Sequence, residues 1–289
     1  MNVGIVQVDG KYPNLALMKS ATWYELQGHK VKIFDPLFDK PDLILASKIF
    51  DFTPDYQYFP EGVPVIKGGI AYDIKSELPP EIENCCPHYE LFGCDHAMGF
   101  TTRGCIRKCK FCKVPEKEGH IREVGDIYDF WRGQKQLMLL DNNLTALPEQ
   151  LERTCKQLTK EKIVTDFSQG LDIRLINADM TKLLSKVRLW KQTHFAFDNV
   201  RLESAVRRGI EILTTNGVAH HKLMFYVLIG FDSTPEEDLY RVELLRSLKV
   251  DPFVMKFNKD NKYQRNFARW VNHKAVFKTV KWEDYKSAV

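Results

Sequence analysis

The chain has 289 residues, 44% of them hydrophobic and 28% charged, with a formal net charge of +4. That composition excludes a chain dominated by disorder and leaves material for one large domain or two ordinary ones. The mild positive balance permits a nucleic-acid partner without arguing for one. No apolar run approaches the roughly 18 residues that span a bilayer, and the N-terminus lacks the basic flank of a secretion signal. A cytoplasmic protein with no membrane partner is expected, its seven cysteines serving as thiols, metal ligands or catalytic groups and not as disulfides.

Residues 3–8 (VGIVQV) predict a buried strand. Asn14 is placed to cap a helix whose apolar positions run from Leu15 to Leu26, and Gly28 ends it. Further strands are predicted at 31–34, 43–46 and 63–66. This order predicts a small Rossmann-like or flavodoxin-like α/β domain with a mostly parallel sheet over residues 1–78. Residues 79–97, irregular and containing proline, read as a linker. A new rhythm then begins. Strands near 98–102, 136–141, 163–167, 190–197, 223–229 and 252–257 alternate with helices near 147–159, 178–187, 201–214 and 234–247. Six βα units over residues 98–258 predict a parallel α/β barrel or open barrel. Residues 259–289 mix lysines with aromatics and predict a partly helical tail. Such a tail either stacks on nucleic-acid bases or closes the barrel mouth.

The strongest chemical signal is TTRGCIRKCKFCKVP, in which Cys105, Cys109 and Cys112 form CxxxCxxC. Three thiolates on one loop can hold iron or zinc. A structural zinc site wants four ligands, and His120 lies outside the cluster at no finger-like spacing. A 4Fe-4S cube normally takes four cysteines, so three leave one iron open to another ligand. Arg103, Arg107, Lys108, Lys110 and Lys113 surround the loop and would favour the thiolates.

With Phe111 just before the third cysteine, the loop resembles the radical S-adenosylmethionine (SAM) signature CxxxCxΦC. The resemblance extends over residues 98–257 and implies a partial (β/α)6 barrel. It further implies that the three cysteines bind a 4Fe-4S cluster whose fourth iron chelates SAM. An electron from the cluster then cleaves SAM to methionine and a 5′-deoxyadenosyl radical, which abstracts hydrogen from a substrate. A flavodoxin or ferredoxin is the implied electron donor. The substrate stays open among small molecules, peptides and RNA, and no catalytic side chain is assigned. The alternative is an iron–sulfur electron-transfer or metal-dependent nucleic-acid-binding module without SAM chemistry.

The strand ends supply the rest of the expected SAM pocket. QLMLLDNNLTA ends in Asp141 and Asn142 where the family keeps a Gly-Gly-Glu-like motif for the SAM amino group. The departure resembles an Asp/Asn-rich variant, and plain turn chemistry is the other account. In DFSQGLDIRLI, Gln169, Asp172 and Arg174 face one side if the segment is extended. Arg174 then suits the SAM carboxylate, and Asp172 or Gln169 a ribose or ammonium contact. An internal Asp–Arg pair is the alternative. Asp198 faces SAM or substrate, or caps the helix that follows. FYVLIGFDSTPEED resembles the family's GxIxGxxE region, which assigns Ile229 and Gly230 to the adenine and Phe111 to a place near it. Ser233, Thr234 and Pro235 read as a helix start.

The N-terminal layout resembles the cobalamin-binding domain of a radical SAM subfamily, which carries DxHxxG after its first strand. Here that stretch reads DGKYPN, with Lys11 in place of the histidine and Asn14 in place of the glycine. A degenerate or substrate-handling domain is therefore expected, without cobalamin. Cys85, Cys86 and Cys94, with His88 and His96, match no familiar cluster spacing and read as buried or loop thiols. Cys155 falls in a predicted helix and reads as core.

Overall fold

Short apolar strands and one helix build the first unit. In the computed structural model, which describes residues 1–10 and 12–286, β1 (Asn2–Gln7) leads to α1 (Leu15–Leu26), β2 (Lys30–Ile33), β3 (Leu43–Ser47) and β4 (Val65–Gly68). The sheet order is β2-β1-β3-β4 and every pair is parallel. Asn14 caps α1, its side chain accepting from the Leu17 N–H at 3.1 Å, and its amide donates to Ser47 Oγ at 2.8 Å. Lys11 lies outside the described residues.

A parallel sheet must bury both faces. One face packs Val3, Ile5 and Leu45 against Leu17 of α1. The other packs Val6, Ile44 and Ala46 against Phe34, Tyr56, Phe59 and Val63. A loop rich in aromatics thus takes the place of a second helix. Met18 of α1 belongs to the main core, as does Tyr89 of the 79–97 stretch. That stretch, which contains α2 (Pro80–Glu83), is packed and not a free spacer: the Tyr89 hydroxyl donates to the Phe130 carbonyl at 2.7 Å.

The second region starts with β5 (Ala97–Gly99). Next, β6 (Thr102–Arg103) and β7 (Arg122–Glu123) form an antiparallel hairpin around α3 (Val114–Lys117). Then come β8 (Gln136–Leu139), α4 (Pro148–Lys160), β9 (Val164–Phe167), α5 (Ala178–Leu184) and β10 (Arg188–Leu189). They are followed by β11 (Thr193–Ala196), α6 (Glu203–Thr215), β12 (Leu223–Ile229), α7 (Pro235–Ser247) and β13 (Asp251–Lys256). Parallel strands fall into two sheets, β10-β9-β8-β5 and β11-β12-β13.

The fold is therefore mixed α/β with parallel sheets, and the expected six-strand barrel is not one continuous ladder. The reason lies at 190–197, predicted as one strand. Its first part continues β10, whose neighbour Trp190 donates its N–H to Thr165 at 2.8 Å. Its second part is β11, which pairs with β12. Short bonds bridge the break: Leu171 N–H reaches the His194 carbonyl at 2.8 Å.

Helices cover one face of these strands. Leu137, Leu139, Phe167, Phe195, Phe225, Val227 and Ile229 pack there with Leu151, Ile210, Val242 and Leu245. The tail continues the same core. It forms α8 (Lys262–Asn272), α9 (Lys274–Thr279) and α10 (Trp282–Lys286), with Phe267, Trp270, Phe277 and Trp282 buried. Those aromatics serve packing and offer no stacking platform. Residues 287–289 of the predicted tail lie outside the described residues. Among the described residues no helix is long and apolar enough to cross a membrane.

Candidate metal and cofactor site

The CxxxCxxC loop is rooted by Asp141. Its Oδ1 accepts from Thr101 Oγ1 at 2.7 Å, Thr102 Oγ1 at 2.7 Å, Thr101 N at 3.1 Å and Thr102 N at 2.5 Å. Burial pushes its carboxyl up against the pull of those donors. Asp141 thus clamps the strand leading into the loop, and the expected ammonium contact would have to share an occupied oxygen. Asn142 takes the next step, its Oδ1 accepting the Gly104 N–H at 2.9 Å. Gly104 has φ +86°, and a Cβ there would run into the His120 carbonyl. The exposed His120 ring faces the Ile121 carbonyl.

Donors surround the thiols. Arg107 N–H points at Cys105 Sγ at 3.3 Å, Val114 N–H at Cys112 Sγ at 3.4 Å, and Asn143 Nδ2 at Cys105 Sγ at 3.4 Å. Burial pushes the Cys109 thiol up, Cys112 and Cys105 add to that, and Arg174 opposes it. Cys112 is likewise raised by burial, with Cys105 and Asp198 adding to it. Arg174 and Asp198 thus both lie near Cys109, with opposite effects on its thiol.

Arg174 and Asp172 are not on an extended strand. After β9 the chain turns at Gly170 (φ +89°) and enters a 3-10 turn, Ile173–Leu175, capped by Asp172. The predicted shared face is thereby corrected: Gln169 is exposed, while Asp172 is buried. Asp172 accepts from Arg174 Nε at 2.6 Å and Nη2 at 2.9 Å, and from Arg107 Nε at 2.8 Å. Burial works to raise its carboxyl, but those two arginines outweigh it and hold it below the usual range. The Asp172 N–H donates to Thr145 Oγ1, which donates to Asn143 Oδ1, whose amide meets Cys105. A continuous polar chain thus links the first cysteine to the β9 turn. Arg174 keeps Nη1 outside these bonds.

At the end of β11, Asn199 and not Asp198 caps the following turn. Asp198 accepts the Leu228 N–H at 2.9 Å, and burial raises its carboxyl. Gly230 has φ +77°, and a Cβ would overlap the Gln264 amide. Ile229 is fully buried on the helix-covered face, and its carbonyl accepts the Phe257 N–H at 3.1 Å. Phe111 meets Phe231 edge to face at 5.5 Å, and Phe231 meets Phe257 at 4.9 Å. This ladder joins the cysteine loop to the ends of β12 and β13.

The donor set suits an iron–sulfur cluster: three thiols within eight residues, N–H groups aimed at sulfur, and cationic arginines close by. Among the described residues no three His, Cys, Asp or Glu side chains are already gathered as a metal site. The sulfurs would converge on loading, as metal binding and local folding are coupled. The remaining cysteines are placed differently. Cys155 is buried and pushed up to about 12 by burial. Burial also raises Cys85 and Cys86, while Cys94 lies beside His96 at 3.7 Å. His88 pairs with Glu25.

Sequence reasoning missed Thr101, Thr102, Asn143 and Thr145 as supports. The two threonines heading the motif and the second Asn of the DNN run were the available signals. No protein-family model matches the chain, and no curated protein matches it.

Proposed function

We propose that this chain is a radical SAM enzyme acting on a substrate bound beside the cysteine loop. The carrying observation is the loop itself. Cys105, Cys109 and Cys112 lie on one loop after β6 that Asn142 and Asn143 tie to the end of the parallel strand β8, with N–H groups trained on the Cys105 and Cys112 sulfurs. In this reading residues 98–258 act as an open partial barrel, with β5, β8, β9, β11, β12 and β13 as its staves. Residues 1–78 form the small companion domain, 79–97 the connection and 259–289 the closing tail.

A 4Fe-4S cluster with SAM on its open iron would supply an electron that splits SAM into methionine and a 5′-deoxyadenosyl radical. The chain's own residues position and exclude. Arg174 is anchored by Asp172 and offers Nη1 to the SAM carboxylate. Asn142 and Asp198 lie at strand ends where an ammonium group needs acceptors. Gly230 lets adenine approach backbone, and the Phe111–Phe231 pair walls it from water. Gln169 is exposed and is the least supported member of this set. The reading assigns no cobalamin. Asp9 is engaged with the Ile49 N–H at 2.6 Å and the Phe50 N–H at 3.3 Å. A flavodoxin or ferredoxin donor in the cytoplasm completes the proposal.

The test is anaerobic. The protein is reconstituted with iron and sulfide, reduced with dithionite and given SAM, and 5′-deoxyadenosine is quantified for wild type and each single Cys→Ala variant. Product that requires all three cysteines is the expected result. A cluster whose reduced spectrum ignores SAM would instead favour the electron-transfer reading.

A further inference from the structure

The face of the strands from β5 to β13 opposite the helices is unevenly covered, from Met98 at 6% exposure to Phe253 at 41%. Register places Met98, Met138 and Asp166 side by side on it, and likewise Ala196, Tyr226 and Phe253. Phe253 and Met255 are 41% and 39% exposed there, although both lie inside a strand. Parallel sheets rarely leave a face bare.

The polar groups on this face share one character. Asp166 accepts no hydrogen bond among the described residues; its nearest charged neighbour is His194 Nδ1 at 3.5 Å. Burial raises its carboxyl, as expected for an acceptor without donors. His194 is 9% exposed, and its Nδ1 faces the Phe167 carbonyl at 3.2 Å. A carbonyl only accepts, so Nδ1 carries the proton on the side of Phe167 and Asp166. The Tyr226 hydroxyl spends its proton on the Ser168 carbonyl at 3.1 Å and leaves its oxygen lone pairs. Its ring lies 5.3 Å from His194 and 6.0 Å from Phe253. Two acceptors, the Asp166 carboxylate and the Tyr226 hydroxyl oxygen, thus sit beside aromatic rings. The positive groups that act on Asp166 besides His194 are Lys191 and His96. Lys191 is exposed and screened by solvent. His96 is tied to Cys94 and Asp95 at 3.1 Å and rests on Trp190 at 5.3 Å.

We infer that Asp166 and Tyr226 form a substrate-recognition floor for a donor-rich cationic nitrogen group, an amidinium or guanidinium. Acceptors without donors select a ligand that brings N–H bonds. Aromatic rings around them favour a cation further. Phe253 and Met255 then cover the apolar body of the ligand. What is done to that ligand rests on the radical SAM reading; the binding does not.

The experiment uses the full chain and saturation-transfer NMR with three probes: agmatine, L-arginine and L-citrulline, whose uncharged urea replaces the guanidinium of arginine. Agmatine and arginine should bind about tenfold or more tightly than citrulline. Asp166→Asn and Tyr226→Phe, each checked for an unchanged melting temperature, should erase that preference. Equal binding of citrulline, unchanged discrimination in Asp166→Asn, or binding by no probe overturns the proposal. 5′-Deoxyadenosine is measured in parallel on reconstituted protein. Probe discrimination without SAM cleavage removes the functional reading alone. SAM cleavage without discrimination removes this floor alone.

Discussion

The N-terminal sheet and the strands from β5 to β13 pair in the same parallel way but are covered differently. The first sheet hides both central faces, under α1 on one side and under the Phe34, Tyr56 and Phe59 rings on the other. Its edge strands carry Lys30, Lys32 and Lys67, which discourages further pairing. The second region covers one face with helices and leaves acceptors and apolar side chains on the other. A sheet finished on both sides is a scaffold; a sheet left half covered keeps surface for a ligand. The polar network follows the same division. At the cysteine loop a chain of side chains runs from Asn143 through Thr145 to Asp172 and Arg174, while the N-terminal unit has separate short networks, Gln7–Asn14–Ser47 and Lys67–Asp55–Tyr72.

The largest break is chemical. Cys109→Ala should abolish cluster binding and 5′-deoxyadenosine formation, while Cys155→Ala, in the helix-packed core, should retain iron and lose stability only. Iron content and product yield measured side by side check this. Equal iron loss in both variants would remove the special standing of the loop.

Two glycines sharpen the comparison in stability. Gly230 and Gly10 have nearly equal dihedrals, φ +77° and +74°. A methyl at Gly230 meets the buried Gln264, whereas nothing lies within 4 Å at Gly10. Gly10→Ala should cost about 1 kcal/mol from the left-handed backbone alone. Gly230→Ala adds overpacking and should cost about 3 kcal/mol. Thermal melts decide it, and similar losses would mean that Gln264 swings aside freely.

Acid titration separates two carboxylates of the site. Asp172 is held below its unfolded value of about 4. Its contribution is therefore present above about pH 4 and lost as pH falls through the folded value. Asp198 is raised by burial, so its ionised form costs stability as pH climbs from about 4 through the higher folded value. Asp172→Ala should destabilise by about 3 kcal/mol at pH 7 by stranding two arginines. Asp198→Asn should stabilise by an amount on the order of 1 kcal/mol there, with no gain at pH 3. Urea midpoints at both pH values read the signs.

Periodicity made most of the elements legible, because burial repeats at two and at 3.6 residues leave local traces. The cap of α1 at Asn14 and the helix start at Thr234, a capping box, were readable for the same reason. The split of 190–197 was not, since it depends on which neighbour each half pairs with. The cysteines were legible as spacing. Their supports were not: Asp141 reads as a ligand contact until its partners Thr101 and Thr102, forty residues away in sequence, are seen. Gln169, Asp172 and Arg174 were placed on one face because a strand was assumed; Gly170 turns the chain and sets the exposed Gln169 apart, while Asp172 and Arg174 stay paired.

The smallest effect concerns how the finished sheet is held over the unfinished one. The 48–53 loop, tied back by Asp9, brings Asp51 to Lys113 at 2.7 Å and Phe52 under Lys259 at 2.9 Å from the ring centroid. Lys113 and Asp51 are both more than half exposed, so solvent screens the pair and Asp51→Asn should cost no more than about 0.5 kcal/mol. Phe52 also stacks on Phe50 at 5.1 Å, and Phe50 packs with Tyr12 at 6.0 Å. Phe52→Ala removes apolar cover and a cation–π contact together, and should cost about 1 kcal/mol. Limited proteolysis within residues 48–60 is the sensitive reading. Cleavage should rise clearly for Phe52→Ala and barely for Asp51→Asn. The reverse order would mean that charge, not aromatic packing, fastens the N-terminal sheet to the cysteine loop.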